Sequence, residues 1–153
     1  MGKETERKFL VRNNDFKSQG KPVFIRQGYL NSDRERVVRV RIMGRAAFLT
    51  VKGISRGLTR KEFEYAIPVA DAGELLGLCE KPLIEKDRYL VEYKGFTWAV
   101  DVFHGENEGL VLAEIELESA GQSFELPAWA GAEVSGDPKY FNARLIKKPF
   151  KNW

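Results

Sequence analysis

Glu4, Glu6 and Lys8 carry charges at every second position near the start of the chain, within Glu4-Thr5-Glu6-Arg7-Lys8. On a β-strand this spacing puts two carboxylates and an ammonium on one face. Carboxylate pairs suit Mg²⁺ or Mn²⁺, hard ions that take oxygen ligands, while ammonium and guanidinium groups suit phosphate oxygens. The same alternation recurs along the chain. Arg39 and Arg41 oppose Val38, Val40 and Ile42, and the set Arg60, Glu62, Glu64 opposes Phe63 and Tyr65. Glu114 and Glu116 oppose Ala113, Ile115 and Leu117, while Lys86 and Arg88 share a parity. Lys52 closes the segment from Phe48, and Asp101 alternates with Val100 and Val102.

These side chains need strands to position them. Short, β-branched, alternating segments separated by Gly, Asn, Asp or Pro predict about eight antiparallel strands. They fall near Glu4 to Val11, Val23 to Leu30, Glu35 to Ile42, Ala46 to Lys52, Leu58 to Ile67, Leu83 to Tyr93, Phe96 to Phe103 and Val111 to Glu118. Turn signals separate several of them, among them Met43-Gly44-Arg45 and Lys94-Gly95. Helices are expected over Pro68 to Cys79 and from Asp137-Pro138 through Leu145, with a weaker turn of helix around Asn14 to Ser18.

Any one of these strands is explained by an ordinary open sheet with a wet outer face. Eight together are not, because a sheet of that size tends to close on itself, and closure leaves one face inside. With the apolar parity packed against helices outside, the charged parity lines a lumen. Unpaired buried charge is costly, so such a lumen must be wet and filled by charged ligands. A compact polyanion together with a divalent ion satisfies the basic and acidic groups at once. The expected fold class is therefore α+β, mainly antiparallel β: a closed eight-stranded β-barrel with a few short helices packed outside.

Composition narrows the class. At 153 residues with 43% apolar content, the chain is the size of one domain spanning residues 1–153. Its net charge of +3 comes from 25 basic and 22 acidic residues, not the one-sided excess of a nucleic-acid coat. No apolar run has the length of a membrane span, and charged residues follow Met1 without a signal-peptide core, so a cytoplasmic protein is expected. Cys79, in an apolar context, excludes an internal disulfide and reads as a small buried hydrophobe. The lone His104 reads as a loop or strand-end residue rather than a ligand, and Trp98, Trp129 and Trp153 as packing residues.

Taken in order, these segments resemble the triphosphate tunnel metalloenzymes of the CYTH superfamily, in particular its small bacterial members. The resemblance rests on Glu4-x-Glu6-x-Lys8 followed by Phe9-Leu10-Val11, then Arg39-Val40-Arg41, Lys52-Gly53, Arg60-Lys61-Glu62-Phe63-Glu64, Lys86-Asp87-Arg88 and Ala113-Glu114-Ile115-Glu116. Thr5 departs from the aliphatic residue usual at its position but keeps the strand.

The resemblance implies a tunnel that holds a triphosphate and hydrolyses it with Mg²⁺ or Mn²⁺. It assigns Glu4, Glu6, Glu114 and Glu116 to the metal, with Glu62 and Glu64 in support or at a second site. Lys8, Arg39, Arg41, Lys52, Arg60, Lys86 and Arg88 are assigned to the phosphates. Lys8, Tyr29 and Lys86 are the catalytic candidates, with Tyr29 positioning the attacking water; alternatively Arg60 and Asp101 form a supporting ion pair. Inorganic tripolyphosphate is the expected substrate. Thiamine triphosphatase, class IV adenylyl cyclase and a non-catalytic binder of polyphosphate or nucleotide are the competing readings. No nucleic-acid or membrane partner is expected, and whether the tunnel is half of a homodimer stays open.

Overall fold

The structure, a computed structural model, describes residues 2–153. Among these residues nine strands form: β1 Lys3–Val11, β2 Val23–Asn31, β3 Arg36–Met43, β4 Ala46–Gly53, β5 Thr59–Ala66, β6 Ile84–Tyr93, β7 Phe96–Phe103, β8 Val111–Glu116 and β9 Ala130–Glu133. Tight turns join successive strands where the sequence signals them. Lys94 and Gly95 both take positive φ, and Gly44 does so between β3 and β4, as two-residue hairpins require. Among the described residues two α-helices are present, α1 Val69–Leu78 and α2 Asn142–Leu145.

The hydrogen-bonded order is β5-β4-β3-β2-β6-β7-β8-β1, and β1 returns to β5 through Lys3↔Lys61, Glu4↔Arg60 and Thr5↔Thr59. The eight-stranded antiparallel sheet is thus closed. β9 is an addition to the expected set. It pairs with β1 through Phe9↔Glu133 and Val11↔Ala130, beyond the stretch of β1 that pairs with β5. There Gly131 runs against the chain: a Cβ on it would lie 3.2 Å from the Leu10 carbonyl oxygen.

Apolar side chains of the outward parity make two cores around the barrel. Phe9, Trp98, Val100, Ala113 and Ile115 are covered by Phe16, Phe124 and Trp129, with Trp98 and Trp129 packed edge to face at 5.6 Å. On another side α1 lays Ala72 and Leu76 onto Val40 and Ala47, with the buried Cys79 beside them. Gly28 permits that approach, since a Cβ there would stand 2.7 Å from Leu83 and 2.8 Å from Cys79.

The third core lies at one end of the lumen and involves inward-facing residues. Leu112 pairs across the sheet with Asp101 and Leu10, and Phe103 pairs with Lys86, so these apolar groups continue the charged face. Leu145 and Ile146 pack against Ile84, Phe103, Leu110 and Leu112. While α1 packs outside as expected, α2 seals one end of the barrel.

Candidate active site

The lumen is a cavity of about 450 Å³. Every residue assigned above to metal, phosphate or catalysis lines it: Glu4, Glu6, Lys8, Tyr29, Arg39, Arg41, Lys52, Arg60, Glu62, Glu64, Lys86, Arg88, Glu114 and Glu116. Strand parity brought them to one face, but strand order sorted them by sign. Glu114 and Glu116 on β8, Glu4 and Glu6 on β1, and Glu62 and Glu64 on β5 come from three consecutive staves. Arg39 and Arg41 on β3 and Lys86 and Arg88 on β6 flank β2, which lies four strands from β1 in either direction. An acidic wall therefore faces a basic one across the cavity.

Cross-strand register packs the acidic wall tightly. Glu6 stands opposite Glu116, and Lys8 opposite Glu114, its ammonium 3.9 Å from the Glu114 carboxylate. Lys52 Nζ donates to Glu4 Oε1 at 2.9 Å and lies 3.5 Å from Glu62. Burial raises the Glu6 carboxyl well above the ordinary glutamate range, and the negative charges of Glu114 and Glu4 raise it further. Glu62 and Glu116 are raised by burial and by Glu4. Glu114 moves the other way: burial alone would raise it, but Lys8 and Arg88 hold it well below its usual range. The two neighbouring carboxyls are thus driven apart, Glu6 toward holding a proton more tightly and Glu114 toward the carboxylate.

Among the described residues, no three His, Cys, Asp or Glu side chains converge in ion-ligating geometry. The donor set nevertheless fits a hard divalent ion. It consists of carboxylate oxygens in adjacent pairs lining the lumen, and their mutual repulsion, which helps raise Glu6, is what a cation would relieve.

The basic wall is strained in the opposite sense. Burial, together with Arg39 and Arg88, pushes the Arg41 guanidinium down to about 9. Guanidinium groups keep their proton in proteins, so that strain is unbalanced positive charge, which an anion relieves. Arg39 Nη2 donates to Thr50 Oγ1 at 3.2 Å, and its buried Nε has no partner in the protein. Arg88 grips Asp101 with two hydrogen bonds of 2.8 and 2.9 Å. Lys86 Nζ reaches the same carboxylate at 2.7 Å, and burial still drives it down to about 7, helped by Arg88 and Arg41. The expected pair of Arg60 with Asp101 does not form. Arg60 instead donates twice to the Gly53 carbonyl, at 3.1 and 2.9 Å, because its strand borders β4 and β1 while Asp101 lies on β7.

A model of the CYTH domain matches residues 2–147. The chain belongs to the CYTH family. An inorganic triphosphatase of Acetivibrio thermocellus is 54% identical over 154 residues, covering all of this chain and 99% of the relative. One of Nitrosomonas europaea is 37% identical over 147 residues, covering 93% and 95%. A crystal structure of an inorganic triphosphatase superposes with a TM-score of 0.67 at 34% identity, covering 94% of this chain and 93% of that one. A conserved hypothetical protein from Pyrococcus furiosus shares the fold, with a TM-score of 0.60 at 21% identity over 77% and 80% of the two chains.

The closed end of this CYTH barrel holds residues that parity analysis did not single out. Gln27 is fully buried, accepts from Arg41 Nε at 3.0 Å and donates to Tyr29 Oη at 3.1 Å. Asn142, from α2, accepts from Gln27 Nε2 at 3.2 Å and from Lys86 Nζ at 2.9 Å. Thr50 joins Arg39 to Glu64, donating to the carboxylate at 3.0 Å. A glutamine between Ile25 and Tyr29 on the inward parity is the one visible signal; Asn142 has none, since a helix carries no strand parity.

Proposed function

We propose that the protein is a divalent-metal-dependent triphosphatase that hydrolyses inorganic tripolyphosphate. Water attacks a terminal phosphorus, the adjoining phosphoanhydride P–O bond breaks, and pyrophosphate and phosphate leave. The observation that carries this reading is the two-walled lumen: buried guanidinium and ammonium groups short of negative charge face carboxylates short of positive charge. A triphosphate with a divalent ion balances both, and related chains are inorganic triphosphatases.

Arg39, Arg41, Lys52, Arg60, Lys86 and Arg88 bind the phosphates in this scheme, with Arg39 Nε free to donate to a phosphate oxygen. Lys8, set in the acidic wall beside Glu114, contacts the phosphoryl group under attack, while Asp101 holds Lys86 and Arg88 in place. Tyr29 and Lys86 stand on the closed side of the basic wall and orient the attacking water. Lys86, held near 7, can take or give a proton at Nζ at neutral pH. Glu4, Glu6, Glu62, Glu64, Glu114 and Glu116 would hold Mg²⁺ or Mn²⁺, which when bound neutralises charge on the phosphoryl oxygens.

The test is a substrate panel of tripolyphosphate, ATP, thiamine triphosphate and pyrophosphate, assayed for phosphate release with Mg²⁺, with Mn²⁺ and with chelator. Release from tripolyphosphate that chelator abolishes is the expected result. Tight binding without turnover, or cyclic nucleotide formed from ATP, would overturn it.

A further inference from the structure

We propose that Asn142 is a positioning residue of the active site, acting with Gln27 as a neutral bridge that sets Lys86 and Tyr29 against the substrate. The proposal rests on the triphosphatase reading above. Three hydrogen bonds carry it: Lys86 Nζ to Asn142 Oδ1 at 2.9 Å, Gln27 Nε2 to the same oxygen at 3.2 Å, and Gln27 Nε2 to Tyr29 Oη at 3.1 Å. Gln27 Oε1 is occupied by Arg41 Nε at 3.0 Å, so the glutamine amide is oriented by its partners: the oxygen faces the guanidinium and the nitrogen faces Tyr29 and Asn142.

Two features separate this bridge from ordinary packing. It joins elements remote in sequence, β2 and β6 from the barrel and α2 from the C-terminal segment, where the plug meets the basic wall. Its acceptor for Lys86 is also uncharged. Lys86 already has one carboxylate, Asp101, at 2.7 Å, shared with Arg88. A second carboxylate at position 142 would offset more of the basic wall's charge and leave less attraction for phosphate. An amide oxygen directs the ammonium without cancelling its charge.

The helix that bears Asn142 is held independently of the bridge. Leu145 and Ile146 are buried against Ile84, Phe103, Leu110 and Leu112. Truncating Asn142 therefore leaves the plug seated while releasing Lys86 and the Gln27 amide.

The test is steady-state kinetics on tripolyphosphate with Asn142→Ala, Asn142→Asp, Gln27→Ala and the double variant Gln27→Ala/Asn142→Ala, each checked by thermal melting. Asn142→Ala is expected to lower kcat about tenfold with little change in KM, the cost of a misplaced catalytic group. Asn142→Asp is expected to raise KM about tenfold by adding negative charge to the phosphate wall. Because both residues act through one bridge, the double variant should lose no more than about twofold beyond the worse single variant. Unchanged kcat in Asn142→Ala, or losses that multiply in the double variant, would overturn the bridge.

Calorimetric titration with tripolyphosphate keeps the two readings apart. If the wild-type protein binds but does not hydrolyse, the triphosphatase reading fails. The bridge is then upheld when Asn142→Asp weakens binding about tenfold and Asn142→Ala does not, and overturned when both bind like wild type. Where Asn142→Ala melts early, Asn142→Ser replaces it in the same comparisons.

Discussion

The acidic and basic walls are built by the same device and are stressed in opposite ways. Both are inward-facing positions of antiparallel strands, and both gather like charges. Burial acts on each to remove its charge, raising Glu6, Glu62 and Glu116 and lowering Arg41 and Lys86. The responses differ. Carboxylates can take up protons, so Glu6 responds by a pKa raised well above its ordinary range, whereas the guanidinium groups cannot discharge: Arg88 is paired with Asp101, but Arg39 keeps a buried Nε with no partner in the protein. The pair of walls stores mutual attraction that is realised when an anion and a cation enter together.

Breaking the acidic wall should cost the most. Glu4→Gln, Glu114→Gln or Glu116→Gln should lower metal-dependent phosphate release by about 10²–10³, the scale seen when a transition-state charge stabiliser is lost. Full activity in Glu4→Gln or Glu116→Gln would remove those residues from the metal assignment. Removing one guanidinium from the opposite wall should act on binding. Arg41→Ala is expected to raise KM about a hundredfold, since a charge-assisted contact is lost.

A third test reads the walls without catalysis. Mg²⁺ alone and tripolyphosphate alone should each raise the melting temperature by a few degrees, and both together by more than the sum, because each relieves the charge that repels like partners of the other. Additive shifts would mean that the walls do not communicate.

In the ligand-free, metal-free protein the walls predict opposite slopes of stability with pH. For Glu6, Glu62 and Glu116 the folded values lie above the ordinary 4.5, so the folded state keeps protons that the unfolded chain has lost. Stability from this wall is present below 4.5 and falls as pH rises through the raised folded values. Lys86 is lowered to about 7 from 10.5, so between those values the unfolded chain holds the proton that the folded state has released. Stability rises with pH across that window, by up to ~1.4 kcal/mol per pH unit for one proton. Urea titrations from pH 5 to pH 10 should show the fall and then the rise, and Lys86→Met should flatten the upper limb.

Much of the site was legible because a strand has a period of two. Glu4, Glu6 and Lys8 could only share a face once the run was extended, and the same holds for Arg39/Arg41, Lys86/Arg88 and Glu114/Glu116. Parity is silent on neighbours. It did not pair Asp101 with Arg88 and Lys86, or send Arg60 to the Gly53 carbonyl, because those partnerships depend on which strands touch. β9 was missed for a similar reason: Ala130–Glu133 is short and weakly patterned, and it becomes a strand where β1 offers it an edge.

Alternation in the chain, then, determined the closed sheet, the charged inner face and the kinds of ligand that face requires, because those follow from residue type and local geometry. The division of that face into an acidic and a basic wall was decided by strand order, when β1 came to lie opposite β2. Asn142 reached Lys86 only because the C-terminal segment folded back to seal the barrel, driven by burial of Leu145 and Ile146. Contacts between residues so far apart in sequence depend on the whole fold, and no local pattern encodes them.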